Sequence, residues 1–282
     1  MDNETLLFDR IEAIKAVNAK HDLLNNAYLS FSGGKDSTIL HHLLDMALPG
    51  NAIPRVFIDT GIEYEAIRQF VLGLAENDDR FQIIKPSKPI KATLERYGYP
   101  FKSKEHSTKL HDWQQGSRAK NIRKYTTPGL PFQCPSMLLY QFTDDFKLKV
   151  SQYCCLKMKK EPAKKHAKEI GRSIVITGMR KEEGGQRTTL GCVVTGKDGK
   201  LKKFHPLSVV PEDWEEWFIE RERELFSLRS TTLRSTSRGR VARVAHSLSI
   251  WKGSWKSCTV SCRMRRGNAR PYGSPYTTNT EG

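Results

Sequence analysis

The stretch Ser30-Phe31-Ser32-Gly33-Gly34-Lys35-Asp36-Ser37 constrains this chain more than any other. It follows the apolar run Ala27-Tyr28-Leu29 and precedes a helical stretch whose Leu40, Leu43, Leu44 and Ala47 share one face. A strand that feeds a helix through a glycine turn points unpaired amides at the space above the helix, which is the layout that holds a phosphate. Gly33 and Gly34 let the backbone approach oxyanions closely. Lys35 adds a cation, and Ser32 and Ser37 add hydroxyl donors. Asp36 repels phosphate; its carboxylate suits Mg²⁺ or backbone N–H groups at the helix start. The loop is not a Walker A motif, because the GxxxxGK(S/T) spacing is absent.

Around this loop the chain alternates. Residues 1–24 read as a helix, 27–31 as a strand, 37–48 as a helix, 54–58 as a strand, 63–75 as a helix and 81–84 as a strand. That rhythm predicts an α/β fold, a parallel sheet with helices on both faces. Residues 86–153, rich in Lys, Tyr, Pro and Gln, break the rhythm and read as an inserted, partly helical lid. A basic helix over 159–170, a strand over 173–177, a turn at 196–199 between two short strands and a helix over 212–226 follow. The expected domain is 1–228, with an irregular basic tail over 229–282.

In an open parallel sheet, ligands sit at the carboxyl ends of strands. Three polar clusters fall there: the glycine loop, Asp59-Thr60-Gly61, and the run from Gly178 to Arg187. Asp59 suits a ribose hydroxyl or a metal, and Gly61 a tight turn beside a nucleoside. Alone, Asp59-Thr60-Gly61 reads equally well as an ordinary capped turn. Arg180 and Arg187 bracket Glu183 and two glycines, and arginine suits bidentate binding of oxyanions.

The fragment SGGKDS resembles the PP-loop of the ATP pyrophosphatase superfamily. LSFSGGKDS (29–37), VFIDTGIEY (56–64), CCLKMKK (154–160), GMRKEEGGQR (178–187) and HPLSVVPEDWEEWFI (205–219) together resemble the phosphoadenylylsulfate (PAPS) reductase-like family, in that family's order. The resemblance implies an adenine nucleotide alpha-hydrolase-like, Rossmann-like fold and an enzyme of sulfur metabolism. It implies that Ser30 and Ser32–Ser37 bind the pyrophosphate or sulfate end of an adenine nucleotide. Asp59, Thr60 and Gly61 would lie near the nucleoside, Arg180, Glu183 and Arg187 at the oxyanions, and Lys35, Asp36 and Arg180 at the chemistry. The intact GGKDS form favours ATP with Mg²⁺ over adenylyl sulfate or PAPS, because reductases dedicated to those substrates usually lack it. A reductant or sulfur-donor protein is the partner implied.

The vicinal pair Cys154-Cys155 resembles half of a 4Fe-4S ligand set, and the lysines that follow favour thiolates. The set lacks its second half, because Cys258 and Cys262 are spaced C-x3-C; as written, the chain is expected to form no cluster. The tail itself is anomalous. From Arg229 onward, 54 residues hold sixteen Ser/Thr and eleven Lys/Arg against one acid, so the tail carries +10 of the chain's net +16. Codons can be chosen for this tail so that the frame starting at each third base encodes GCKGCPF across Arg240–Ser247, which supplies the missing CxxC. A one- or two-base frameshift near Phe226–Arg229 is the expectation. The bland alternative is a disordered basic tail.

At 282 residues, 38% hydrophobic and 28% charged, the chain buries a real core. No apolar run is long enough for a membrane span, and the acidic start Met1–Glu4 is no signal peptide, so a cytoplasmic enzyme without membrane contact is expected. Two further functions stay open. One is adenylation of nucleic acid before thiolation, as in DNA phosphorothioation, using the lid cations Lys102, Lys104, Arg118, Lys120, Arg123 and Lys124. The other is a non-catalytic nucleic-acid-binding module, against which the intact Lys35 and Asp36 count.

Overall fold

The computed structural model describes residues 2–130, 133–184, 187–189 and 191–233, with side chains to residue 222. Contacts divide the chain into two units at Glu222/Arg223, and the sheet and the lid belong to the first. The tail beyond residue 233, with Cys258, Cys262 and the expected frame-shifted CxxC, lies outside the described residues.

The elements run α1 (Asn3–His21), α2 (Leu23–Asn26), β1 (Ala27–Ser30), α3 (Lys35–Ala47), β2 (Arg55–Ile58), α4 (Glu65–Ala75) and β3 (Phe81–Ile84). The lid comes next with α5 (Ile90–Tyr97), α6 (Lys104–Gln114), α7 (Lys120–Thr126) and a 3-10 segment over Ser136–Phe142. After it come α8 (Tyr153–Cys155), a π-turn over Leu156–Lys160, α9 (Glu161–Glu169), β4 (Ile174–Ile176), β5 (Val193–Thr195), β6 (Leu201–Phe204) and α10 (Glu212–Leu233). The helix expected over 1–24 is two helices. Asp22 adopts a left-handed conformation (φ 49°), donates its N–H to Asn18 O at 2.8 Å, and so ends α1 before starting α2.

The six strands lie in the order β3-β2-β1-β4-β6-β5, all parallel except β5, which pairs antiparallel with β6 at the edge. The predicted α/β architecture is therefore the observed one, with the 196–199 turn closing the edge hairpin (Gly196 N donates to Lys200 O at 2.8 Å). From β1 the chain builds toward β3 and then returns to the other side of β1 with β4. Right-handed crossovers in opposite directions put their helices on opposite faces of the sheet. The same reversal opens a crevice above the carboxyl ends of β1 and β4, the place where such sheets bind ligands.

Leu29, Leu40, Leu43, Leu44, Ile176 and Phe204 are almost wholly buried, which confirms the apolar face assigned to α3. At the far end of the sheet, Arg55 opens β2 fully buried. It donates to His41 Nδ1 (3.1 Å), Asn51 Oδ1 (2.7 Å) and Asp45 Oδ1 (2.7 Å), and Arg80 reaches the same Asp45 at 2.7 Å. Burial and the surrounding cations keep His41 neutral, pushing its pKa down to about 3, while Arg80 and Arg55 hold Asp45 down to about 2. The lid has its own small core. His106 is fully buried between Tyr125 Oη (3.0 Å) and Gln141 Oε1 (2.7 Å), with Phe142 edge-on at 5.7 Å. Among the described residues no helix is long and apolar enough to cross a membrane.

Candidate functional site

The glycine loop sits at the carboxyl end of β1, as the strand–turn–helix pattern demands. Gly33 takes φ +73°, and a Cβ there would lie 2.7 Å from Ile67 Cγ2 and 2.8 Å from Val71 Cγ2 of α4. Only glycine lets the loop lie flat on that helix. Gly34 is the N-cap of α3, with no side-chain cap. The first-turn amides of α3 thus have no acceptor within the helix, and the positive end of its dipole faces the crevice.

The two serines have different jobs. Ser37, buried, donates its single hydroxyl proton to Gly34 O at 2.9 Å and accepts from Ser32 N at 3.2 Å. That proton is spent on bracing the loop. Ser32 has its Oγ 3.0 Å from Ser37 Oγ and accepts from Gly34 N at 3.3 Å; its hydroxyl proton can turn to a ligand. Ser30 ends β1, half-buried.

Gly178 lies just beyond β4, packed against the start of α3; a Cβ there would meet Asp36 Cβ at 2.9 Å and Asp36 O at 3.0 Å. This close approach carries Arg180 to the loop, with its Nε 3.9 Å from Asp36 Oδ1. Lys35 and Arg180 are both buried, and both turn to the same carboxylate. Glu215, on the first turn of α10 and wholly buried, has Oε2 2.9 Å from Lys35 Nζ and Oε1 3.2 Å from Arg180 Nε. Two exposed acids complete the cluster: Glu212 lies 3.2 Å from Lys35, and Glu182 lies 3.0 Å from Arg180 and accepts the Glu212 amide at 2.8 Å. Burial pushes Glu215 up to about 7, Asp36 pushes the same way, and Lys35 and Arg180 pull against them. Sequence reasoning missed Glu215. Its signals were an acidic pair at i, i+3 (Glu212, Glu215) and its place inside the run 205–219 that carries the family resemblance.

Glu183 accepts the Arg180 amide at 3.2 Å and pairs with Arg187, which is exposed. Of the two bracketing arginines, Arg180 is buried beside the glycine loop and Arg187 is exposed. Across the sheet, Asp59 is buried at the carboxyl end of β2, where it accepts from Arg68 Nε at 3.1 Å and from the Gly61 amide at 3.2 Å. Thr60 donates its hydroxyl to Glu63 at 2.7 Å and its amide at 3.0 Å, while Gly61 turns the chain with φ +78°. Asp59, Gly61, Arg68, Lys85 and Pro89 line a cavity of about 510 Å³.

Cys154 and Cys155 line a different cavity of about 610 Å³, together with Phe101, Met158, Lys102 and Lys159. The expectation that neighbouring lysines favour a thiolate fails at Cys154: burial and the adjacent Cys155 push its thiol up, and Lys159 only partly opposes them. Cys134 is buried inside the lid and takes no part. Among the described residues no three His, Cys, Asp or Glu side chains gather as a metal-binding group.

A family model of the phosphoadenosine phosphosulfate reductase domain matches residues 26–128 and 133–222. No curated protein sequence matches the chain. Among solved structures, the chain is similar to phosphoadenylyl-sulfate (PAPS) reductase from Candida auris in a phosphate complex (18% identity over 72% of this chain and 77% of that one, TM-score 0.41). It is similar to the NH3-dependent NAD synthetase of Campylobacter jejuni with a nitrate ion (14% identity, 90% and 95%, TM-score 0.41). It is also similar to the U34-tRNA thiolase of Methanococcus maripaludis with its 4Fe-4S cluster (14% identity, 88% and 78%, TM-score 0.39).

Proposed function

This chain belongs to the phosphoadenosine phosphosulfate reductase family, and from that premise we propose that it is a PP-loop enzyme that grips the anionic end of an adenine nucleotide in the loop Ser32–Ser37. It acts at the α-phosphate of ATP, or on an adenylyl sulfate, in sulfur metabolism. One observation carries the reading: two buried cations, Lys35 and Arg180, meet above the carboxyl ends of adjacent parallel strands, beside the uncapped start of α3.

With ATP, a nucleophile of the acceptor attacks the α-phosphorus, the bond to the β-bridging oxygen breaks, and pyrophosphate leaves with the electron pair. Charge then builds on the leaving group. The amides at the start of α3, Ser32, Lys35 and Arg180 stabilise it, and their preorganisation away from water makes them effective. No covalent intermediate on the protein is needed. The cavity at Asp59 and Gly61 takes the nucleoside.

The test is binding of ATP, adenylyl sulfate and PAPS, together with pyrophosphate release from ATP, for wild type and Lys35→Met. A charge-assisted contact contributes about 1.5–3 kcal/mol, so the variant should bind the preferred nucleotide ~10- to 100-fold more weakly. Unchanged affinity in Lys35→Met, or no nucleotide bound by wild type, overturns the reading. The nucleic-acid reading keeps one observation of its own. Lys102, Lys104, Arg118, Lys120, Arg123 and Lys124 lie along the lid, with the Arg118 guanidinium 4.5 Å over the Trp113 ring. Pyrophosphate release only in the presence of added DNA or RNA favours it.

A further inference from the structure

We propose that Glu215 is the internal counter-ion of the anion cradle: it positions Lys35 and Arg180 side by side, and it yields them to an incoming polyphosphate by taking up a proton. The inference rests on the nucleotide reading above and adds to it a residue and a proton.

The cluster holds an excess of negative charge before any ligand arrives. Two cations, Lys35 and Arg180, face four carboxylates: Asp36 on α3, Glu182 after β4, and Glu212 and Glu215 on α10. A polyphosphate adds more negative charge, so some carboxylate must withdraw. Glu212 and Glu182 have side chains 60% and 55% exposed and can swing into water. Glu215 cannot. It is wholly buried, as are its helix neighbours Trp214 and Phe218, whose rings stack at 5.2 Å, and the start of α10 is tied down by Trp214 Nε1 donating to Asn3 O at 2.9 Å. A carboxylate that can neither leave nor reach water has one way to lose its charge, which is protonation.

The contacts themselves suit such an exchange. The Oε1 of Glu215 and the Nε of Arg180 are buried 3.2 Å apart without an aligned hydrogen bond, so Coulomb attraction rather than directional bonding holds that pair, while Oε2 keeps the Lys35 ammonium at 2.9 Å. The groups that face Glu215 are Lys35 and Asp36 from α3 and Arg180 from the turn after β4, with Glu212 and Glu182 on the outer side of the same cations. Burial and Asp36 already lift the Glu215 carboxyl to about 7. Lys35 and Arg180 oppose that rise, so turning them toward a phosphate lifts it further. Above neutral pH the free protein holds Glu215 ionised and the liganded protein holds it protonated. Affinity therefore falls with rising pH, by up to ~10-fold per pH unit for one proton taken up.

The test uses the full chain with ATP in EDTA, titrated calorimetrically at pH 7.5, 8 and 9 in buffers of different ionisation enthalpy. A phosphate monoester ionises near pH ~6, so the ligand is fully charged across this range. Wild type should take up close to one proton per ATP at pH 8 and lose ~10-fold in affinity from pH 8 to 9. Glu215→Gln keeps the shape without the charge; it should take up no proton and bind more tightly than wild type at pH 9. Glu215→Ala also lacks the charge but leaves the two cations unsupported, and should bind more weakly than Glu215→Gln at every pH. Proton uptake by wild type needs no variant to fold. ATP binding with no proton uptake and a flat pH profile in wild type, or wild-type uptake retained in Glu215→Gln, overturns the proposal and leaves the nucleotide reading standing. Binding of adenylyl sulfate or PAPS with no binding of ATP overturns the proposal alone, and binding of none of the three at any pH overturns both.

Discussion

Replacing Gly33 with alanine tests whether the loop is held in shape by α4. Two costs add. The residue has φ +73°, where an L side chain pays about 1–2 kcal/mol of backbone strain. The new methyl also lands 2.7 Å from Ile67 Cγ2 and 2.8 Å from Val71 Cγ2. Both neighbours are β-branched residues in a helix, with one strongly preferred χ1, so neither can rotate away cheaply. Overpacking of this kind costs about 1–3 kcal/mol. Gly61 supplies the control, because it has φ +78° with nothing within 4 Å of a Cβ, and so Gly61→Ala carries the strain alone. The difference between the two variants isolates the packing cost. For a domain of this size each kcal/mol shifts Tm by about 2–4 °C, so Gly33→Ala should melt ~2–12 °C below Gly61→Ala. Thermal and urea unfolding measure it, and adding Val71→Ala to Gly33→Ala should recover part of the loss. Equal melting of the two single variants would refute the close packing of loop on α4.

Asp45 holds two arginines at the amino end of the sheet, one of them fully buried, so Asp45→Asn should cost about 3–5 kcal/mol at pH 7 by leaving Arg55 uncompensated. Its folded-state pKa is depressed from 3.8 to about 2, so the stabilisation is present above pH ~4 and fades as pH falls toward 2. Urea unfolding of both proteins against pH should show the gap narrowing over that window; a gap constant down to pH 2 contradicts the network. Iodoacetamide at pH 8, followed by peptide mass spectrometry, should modify exposed Cys155 quickly and spare Cys134, which is buried with its thiol pushed up by that burial. Equal labelling of the two in the native protein would place Cys134 wrongly.

Much of the site's chemistry was legible because it is written locally. Ser30–Ser37 follow one another, and a strand, two glycines and an amphipathic helix already specify a turn with open amides and a lysine. The same holds for Asp59-Thr60-Gly61 and for Gly178 to Arg180, each at the end of a short apolar strand. What those residues do to one another was not legible. That Ser37 spends its proton on Gly34 follows from the fold of the loop, not from its composition. That lysines fail to favour a Cys154 thiolate follows from burial, which no count of neighbouring charges reveals.

The sequence by itself determined the parts: an α/β alternation, a glycine loop between the first strand and its helix, and an arginine after a later strand. The reason is that hydrophobic period and turn chemistry act between residues a few positions apart. Only the tertiary structure decided that β4 lies beside β1, that Gly178 packs onto Asp36, and that Lys35 and Arg180 share a carboxylate from α10. Those facts depend on which strand returns to which side of the sheet, and on a buried charge that finds its partners only when distant segments exclude water together.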